Sequence, residues 1–138
     1  MSTFPQTYIG FVYGTNSSNQ NLYSTTWVIY SPTDESVSNH GICLDRTTRN
    51  IEEYNVVIEI LFDAITFGIR QFIVRLDSQL VVLNLNGVYS VRSASMLRMF
   101  LRVCLLEQEF DYIEYQHIPR NLNKLTNALV NYLLNWHL

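Results

Sequence analysis

The spacing of apolar residues along the chain changes near residue 50. Before that point, short apolar and β-branched segments alternate with polar turns, and they predict strands at 7–13, 23–30 and 40–44. The polar runs 14–21 and 31–35 predict the connecting turns. Three strands with short polar connections are typical of an antiparallel meander.

After residue 50, apolar residues recur every three or four positions, which indicates helices. The first predicted helix runs from Ile51 to Ile65, with Asn50 and Glu53 as a capping box at its start and Gly68 at its end. A later helix is predicted from Ser93 to Glu107. Its predicted core-facing positions are Leu97, Phe100, Leu101, Cys104 and Leu105.

Two further strands lie among these helices. The run 72–76 is apolar without clear alternation, as expected of a strand buried on both faces, and Asp77-Ser78 is predicted to cap a short helix that ends at Asn86-Gly87. A second strand is predicted at 112–118. An apolar stripe then predicts a C-terminal helix, through Leu122, Leu125, Ala128, Leu129, Tyr132, Leu133 and Trp136.

The resulting order, βββ-α-β-α-α-β-α, predicts an α/β fold. A strand reached through a helix from an antiparallel meander implies a mixed sheet, here of five strands with helices on both faces. The chain has 138 residues, no internal repeat and no linker, so we expect one domain spanning 1–138.

Composition and charge narrow the class of protein. Apolar residues make up 48% of the chain, but none of its apolar segments is long enough to span a membrane. Cys43 and Cys104 are expected to be reduced thiols, and without a recognisable signal peptide we expect an intracellular protein of the cytoplasm or nucleus. The net charge of −3 and the single lysine, Lys124, disfavour a dedicated duplex-binding domain.

Three arginines are the candidates for nucleic-acid contact. Arg98 and Arg102 lie one helical turn apart, and Arg120 follows the last predicted strand. An ordinary solvated helix face is the alternative for the first two, and a structural corner for the third.

Asp77 is the candidate for chemistry. An acid at the carboxyl end of a central strand stands where open α/β sheets place ligands and metals. The residues around it leave a second interpretation open, in which Asp77 only caps the helix that follows.

Several ordered motifs, taken together, resemble the ribonuclease H-like fold, and most closely the ribonuclease H domains of gypsy-class LTR retrotransposons. The segment 48–54 is similar to the family's Thr-Asn-Asn-x-Ala-Glu-Tyr helix start, and 76–82 is nearly the family form. The segment 117–129 is similar to His-Ile-Pro-Arg-x-x-Asn-Lys-x-Ala-Asp-Ala-Leu. The resemblance covers about residues 8–135.

The resemblance implies a two-magnesium ribonuclease site, which this chain matches only in part. Such enzymes cleave the RNA strand of an RNA–DNA hybrid with metal ions held by carboxylates, since Mg²⁺ prefers oxygen ligands. Glu53 and Asp77 match two of the four expected acids. Tyr13 replaces the first-strand Asp, which bridges both metals in the family, and Asn127 replaces the last.

These replacements predict a degenerate site and lead to three hypotheses. In the first, the chain is a catalytically inactive domain derived from a retroelement, with no expected cofactor, that binds a protein partner or itself. In the second, Glu53, Asp77 and Asn127 form an altered site that uses Mg²⁺ or Mn²⁺ to cleave hybrids. In the third, the domain binds an RNA–DNA hybrid without cleaving it.

Overall fold

The computed structural model describes residues 6–17, 22–45 and 49–119. Its strands are β1 (Thr7–Ser17), β2 (Leu22–Tyr30), β3 (Ser36–Asp45), β4 (Gln71–Leu76) and β5 (Tyr112–His117). Its helices are α1 (Arg49–Thr66), α2 (Gln79–Leu85) and α3 (Ala94–Glu107). The predicted C-terminal helix lies outside the described residues.

The five strands form one mixed sheet in the order β3-β2-β1-β4-β5. The pairs β1–β2 and β2–β3 are antiparallel, whereas β1–β4 and β4–β5 are parallel. This confirms the predicted fold class. Because α1 and α3 each lead into a strand parallel to β1, both helices run from the carboxyl end of the sheet back towards its amino end.

The three described helices pack on one face of the sheet around a single core. This core joins strand residues such as Val12, Phe72 and Val74 to residues of α1, α2 and α3. Gly10 marks the closest approach of helix and sheet, because a Cβ atom there would lie 2.7 Å from Ile60 Cδ1 and 2.7 Å from Phe72 Cζ. No described helix lies on the other face, and the C-terminal helix predicted from the sequence is outside the described ranges.

The opposite face of the sheet carries a smaller aromatic and polar cluster. The Arg75 guanidinium lies 5.3 Å from the centre of the Phe11 ring, and its Nε donates a hydrogen bond to Gln116 Oε1 at 3.0 Å. Phe11 also meets Tyr30 edge to face. β4 therefore buries Phe72, Val74 and Leu76 fully on one face only, so the prediction of burial on both faces is wrong.

Two turn predictions are confirmed, and the bounds of the first three strands differ from the sequence prediction. Gly68 and Gly87 follow α1 and α2 with φ near 76°, a conformation that glycine adopts without steric cost. β1 continues to Ser17 instead of ending at residue 13. β2 begins one residue earlier than predicted, and β3 runs over 36–45 instead of 40–44. The polar residues at these strand ends pair with the neighbouring strand through backbone hydrogen bonds. The spacing of apolar residues in the sequence does not indicate such pairing.

The predicted core face of α3 is wrong at three of its five positions, whereas Phe100 packs against the core as predicted. Val103 is its buried residue, and Met96, Met99, Phe100 and Leu106 pack against the core. The predicted core positions Leu97, Leu101 and Leu105 are exposed instead. Within the described residues, no helix has the length and apolar character needed to cross a membrane.

Candidate active site at the carboxyl end of the central strands

A side-chain hydrogen bond joins the start of α1 to the end of β4. Ser78 Oγ donates to Asn50 Oδ1 at 3.1 Å, and the same oxygen accepts from the backbone N–H of Val81 at 3.4 Å. Glu53 lies three residues after Asn50, on the same helix face. The bond therefore holds Glu53 at the end of the sheet where Asp77 follows β4.

Both matched carboxylates are buried. Glu53 is 0% exposed and Asp77 is 9% exposed. Burying a carboxylate is costly unless other groups compensate its charge. Both residues do make interactions within the protein.

Helix capping does not account for either acid. The N-cap of α2 is Ser78. The prediction that Asp77 caps this helix is therefore wrong. α1 begins at Arg49, which places Asn50 and Glu53 inside the helix, and Asn50 accepts from Ser78 instead of capping. The capping-box prediction is therefore also wrong. Helix capping does not explain why Glu53 and Asp77 are buried.

Position 13 lies beside Asp77 on the neighbouring strand. The parallel pairing of β1 with β4 ends at Phe11 opposite Arg75. Continuing this one-to-one register by two residues places Tyr13 level with Asp77, at the usual strand spacing of about 4.8 Å. Tyr13 itself pairs with Thr26 of β2, so this backbone position is fixed from the other side as well.

The donor set does not fit a pair of magnesium ions. A neutral phenol is a poor ligand for a hard cation, because Mg²⁺ prefers charged or carbonyl oxygens. Glu52 is buried as well, but it is the immediate neighbour of Glu53 and points about 100° away around the helix. In the described part of the chain, no three His, Cys, Asp or Glu residues are grouped to hold a metal. Asn127 lies outside the residues that the structure describes.

The predicted nucleic-acid contacts are not gathered at this site. Arg98 and Arg102 are both exposed on α3. Arg102 lines a groove of about 310 Å³ together with Phe62 of α1. Phe62 lies roughly 13 Å along the helix from Glu53, at 1.5 Å per residue. Arg120 lies outside the described residues.

Sequence reasoning missed a polar network at the other end of α1. One carboxylate oxygen of Asp63 accepts hydrogen bonds from Trp27 Nε1 at 3.0 Å and from Ser38 Oγ. His40 Nε2 lies 3.8 Å from the same oxygen, and its ring packs against Trp27. The available signal was an acid, Asp63, between the apolar residues Phe62 and Ala64 of α1. The network fixes α1 to β2 and β3.

A second missed cluster is buried where α1, α2, α3 and β5 meet. Burial raises the pKa of the Glu107 carboxyl above its ordinary value. Burial also raises the pKa of Tyr115, and the negative charge of Glu107 raises it further. Burial also raises the pKa of the Tyr54 hydroxyl, and a hydrogen bond with the Asn84 side chain lowers it in part. Burial therefore disfavours the charged form of each of these groups.

Fold and site together define a ribonuclease H-like domain. A protein-family model described as reverse transcriptase-like matches residues 11–133, which is most of the chain. The chain belongs to this family.

Two curated relatives are similar in sequence to much of this chain. Ribonuclease HI of Halobacterium salinarum is 31% identical over 122 residues, covering 88% of this chain and 61% of that protein. The bifunctional protein Rv2228c of Mycobacterium tuberculosis is 32% identical over 88 residues, covering 64% of this chain. The chain spans only 24% of that protein, and 61% of the halobacterial one.

Solved structures agree with this assignment. The halobacterial RNase H1 matches with a TM-score of 0.77 and 29% identity, over 86% of this chain and 89% of that one. LC11-RNase H1 in complex with an RNA/DNA hybrid matches with a TM-score of 0.75 and 26% identity, over 84% and 88%. The N-terminal RNase H domain of Rv2228c, at 24% identity, a TM-score of 0.78 and 87% of each chain, supports the fold alone.

Proposed function

We propose that this chain is a ribonuclease H-like domain that has lost two-metal hydrolysis and serves as a non-catalytic module. The observation that supports this most directly is the parallel register of β1 with β4, which ends at Phe11 opposite Arg75 and, continued by two residues, brings Tyr13 level with Asp77. Two Mg²⁺ ions carry a charge of +4, and Glu53 and Asp77 together bring only −2. We further infer descent from a retroelement, which rests on the motif forms at 48–54, 76–82 and 117–129.

The test is a cleavage assay with an end-labelled RNA–DNA hybrid in Mg²⁺ and, separately, in Mn²⁺. The wild-type chain should leave the hybrid intact, and isothermal titration should detect no paired-metal binding. Tyr13→Asp combined with Asn127→Asp introduces a carboxylate at each of the two positions where the family has Asp, and it is the matched comparison. Robust wild-type cleavage that Asp77→Asn abolishes would overturn the proposal.

An altered-site nuclease is the second candidate, and one observation favours it. Glu53 and Asp77 are buried at the same end of the sheet, and neither acid caps a helix. A buried acid without a capping role is often kept for function, since its burial is costly. This candidate predicts Mn²⁺-dependent cleavage by the wild-type chain that both Glu53→Gln and Asp77→Asn abolish.

Hybrid binding without cleavage is compatible with the first proposal. A related structure, LC11-RNase H1, holds an RNA/DNA hybrid, and this chain is similar to it over 84% of its length. The net charge of −3 argues for weak binding. Fluorescence anisotropy with a labelled hybrid should show an affinity that falls with salt and falls further in Arg98→Glu. Equal affinities of Arg98→Glu and the wild type for the hybrid would show that Arg98 does not contact it.

A further inference from the structure

The outer surface of α1 and α3 carries an apolar patch of exposed side chains on which no described element packs. Leu97, Leu101 and Leu105 are spaced four residues apart on α3 and are all exposed. Phe62 of α1 is 53% exposed and borders the same groove as Leu105, which is 65% exposed. Contiguous exposed apolar surface of this kind marks interaction sites on soluble proteins.

Charges of both signs lie at this patch, with Glu59 on α1 and Arg98 and Arg102 on α3. Arg102 lines the groove from α3, beside Ile58 of α1. Glu59 follows Ile58 and is exposed, three residues before Phe62. Among the described residues, neither Glu59 nor Arg102 takes part in an ion pair. The surface is therefore complementary to one that offers an apolar stripe, a carboxylate and a cation.

From this complementarity we propose that the patch binds a second copy of the same chain. α1 and α3 run in the same direction, and the groove is lined by Ile58 and Phe62 of α1 and by Arg102 and Leu105 of α3. Because each of these pairs spans about one helical turn, we infer that Ile58 is level with Arg102 and Phe62 with Leu105. A twofold axis along the groove then lays α1 of one copy on α3 of the other at equal height. Each Glu59 faces the Arg102 of the partner subunit, and each Phe62 faces the partner's Leu105, as an isologous interface requires.

The size of the patch sets the strength of this dimer. α3 has 14 residues, or about 21 Å of length, and two adjacent helices are about 20 Å wide. The footprint is therefore about 400 Å² per copy, roughly half of what a standard stable interface buries on each partner. We expect a weak, reversible dimer whose fraction rises with protein concentration.

Sedimentation velocity over a concentration series tests the proposal. The wild-type chain should shift from monomer to dimer as the concentration rises, and Leu105→Glu should abolish the shift. Val88→Glu is the matched control, because Val88 is 63% exposed but lies on the loop between α2 and α3 and does not line the groove. Circular dichroism spectra of both variants should match that of the wild type.

A charge-reversal cycle distinguishes self-association from other occupants. Glu59→Arg and Arg102→Glu should each raise the dimer Kd about tenfold, through two symmetry-related pairs, and the double reversal should restore it. A wild-type chain that stays monomeric throughout overturns the proposal. So does a monomer whose melting temperature falls in Leu105→Glu, because another part of the chain would then cover the groove.

Discussion

Ser78 and Asn50 connect two elements that are 28 residues apart in the chain, through a 3.1 Å hydrogen bond from the serine hydroxyl to the asparagine side chain. The serine also caps α2, so one hydroxyl both starts a helix and holds the first turn of α1 against the end of β4. This contact positions Glu53 relative to Asp77. The residue that caps α2 is therefore Ser78 and not its neighbour Asp77.

Removal of this hydroxyl should destabilise the fold more than removal of an ordinary cap. Ser78→Ala loses the cap of α2 and the bond to Asn50, for an expected loss of about 2 kcal/mol in the free energy of unfolding. Ser93→Ala is the control, since Ser93 caps α3 on an exposed surface. Its expected loss is about 1 kcal/mol, measured by urea unfolding. Equal losses would show that the bond to Asn50 contributes nothing.

Asp63→Ala should be among the more destabilising polar substitutions. The indole of Trp27 and the hydroxyl of Ser38 would both lose their acceptor in a buried position, at a cost of about 2–3 kcal/mol. Asp111→Ala is the matched control, because Asp111 pairs with Arg70 at 3.1 Å on an open surface. That change should cost less than about 1 kcal/mol in the same unfolding measurement.

Gly10→Ala should destabilise the chain by about 1–3 kcal/mol through overpacking. The added Cβ would lie 2.7 Å from atoms of Ile60 and Phe72, both fully buried. Gly41→Ala on the edge strand β3 meets only a Thr26 methyl group at 3.0 Å, so its effect should be smaller. Thermal unfolding of the two variants would contradict this account if it ranked them in the opposite order.

The Glu107 carboxyl should make stability depend on pH in a defined direction. Burial raises its pKa in the folded state, so the folded chain holds this proton more tightly than the unfolded chain does. Its contribution to stability is therefore complete below the pKa of the unfolded state and falls as the pH rises through the folded pKa. Glu107→Gln should melt at a higher temperature than wild type near neutral pH.

The same difference should shrink in acid, where wild-type Glu107 is protonated and resembles glutamine. Melting curves of both proteins across the carboxyl titration range measure this directly. Glu109→Gln provides the control, since Glu109 is exposed at the end of α3 and should show little change. A stability gap that stays constant with pH would exclude Glu107 as the cause.

The described strands and helices follow from local patterns that the sequence displays. Period-three and period-four spacing identified α1 and α3, and Gly68 and Gly87 ended helices because both adopt a positive φ. The match of 76–82 to a family motif placed Asp77 at the end of a strand, and the structure agrees. Identities alone also revealed that Tyr13 and Asn127 stand where acids were expected.

Tertiary structure decided which apolar face is buried and what the polar residues do. The sequence could not choose between the two faces of α3, because Leu97, Leu101 and Leu105 repeat at helical spacing just as Met96, Met99, Phe100 and Val103 do. Similarly, Asp77 and Ser78 are both good N-caps, and only the contact with Asn50 and the bond to Val81 assign that role to Ser78. Local pattern determines the elements. The packing of one element against another, through contacts distant in sequence, determines the face each one buries and the residues that meet at the site.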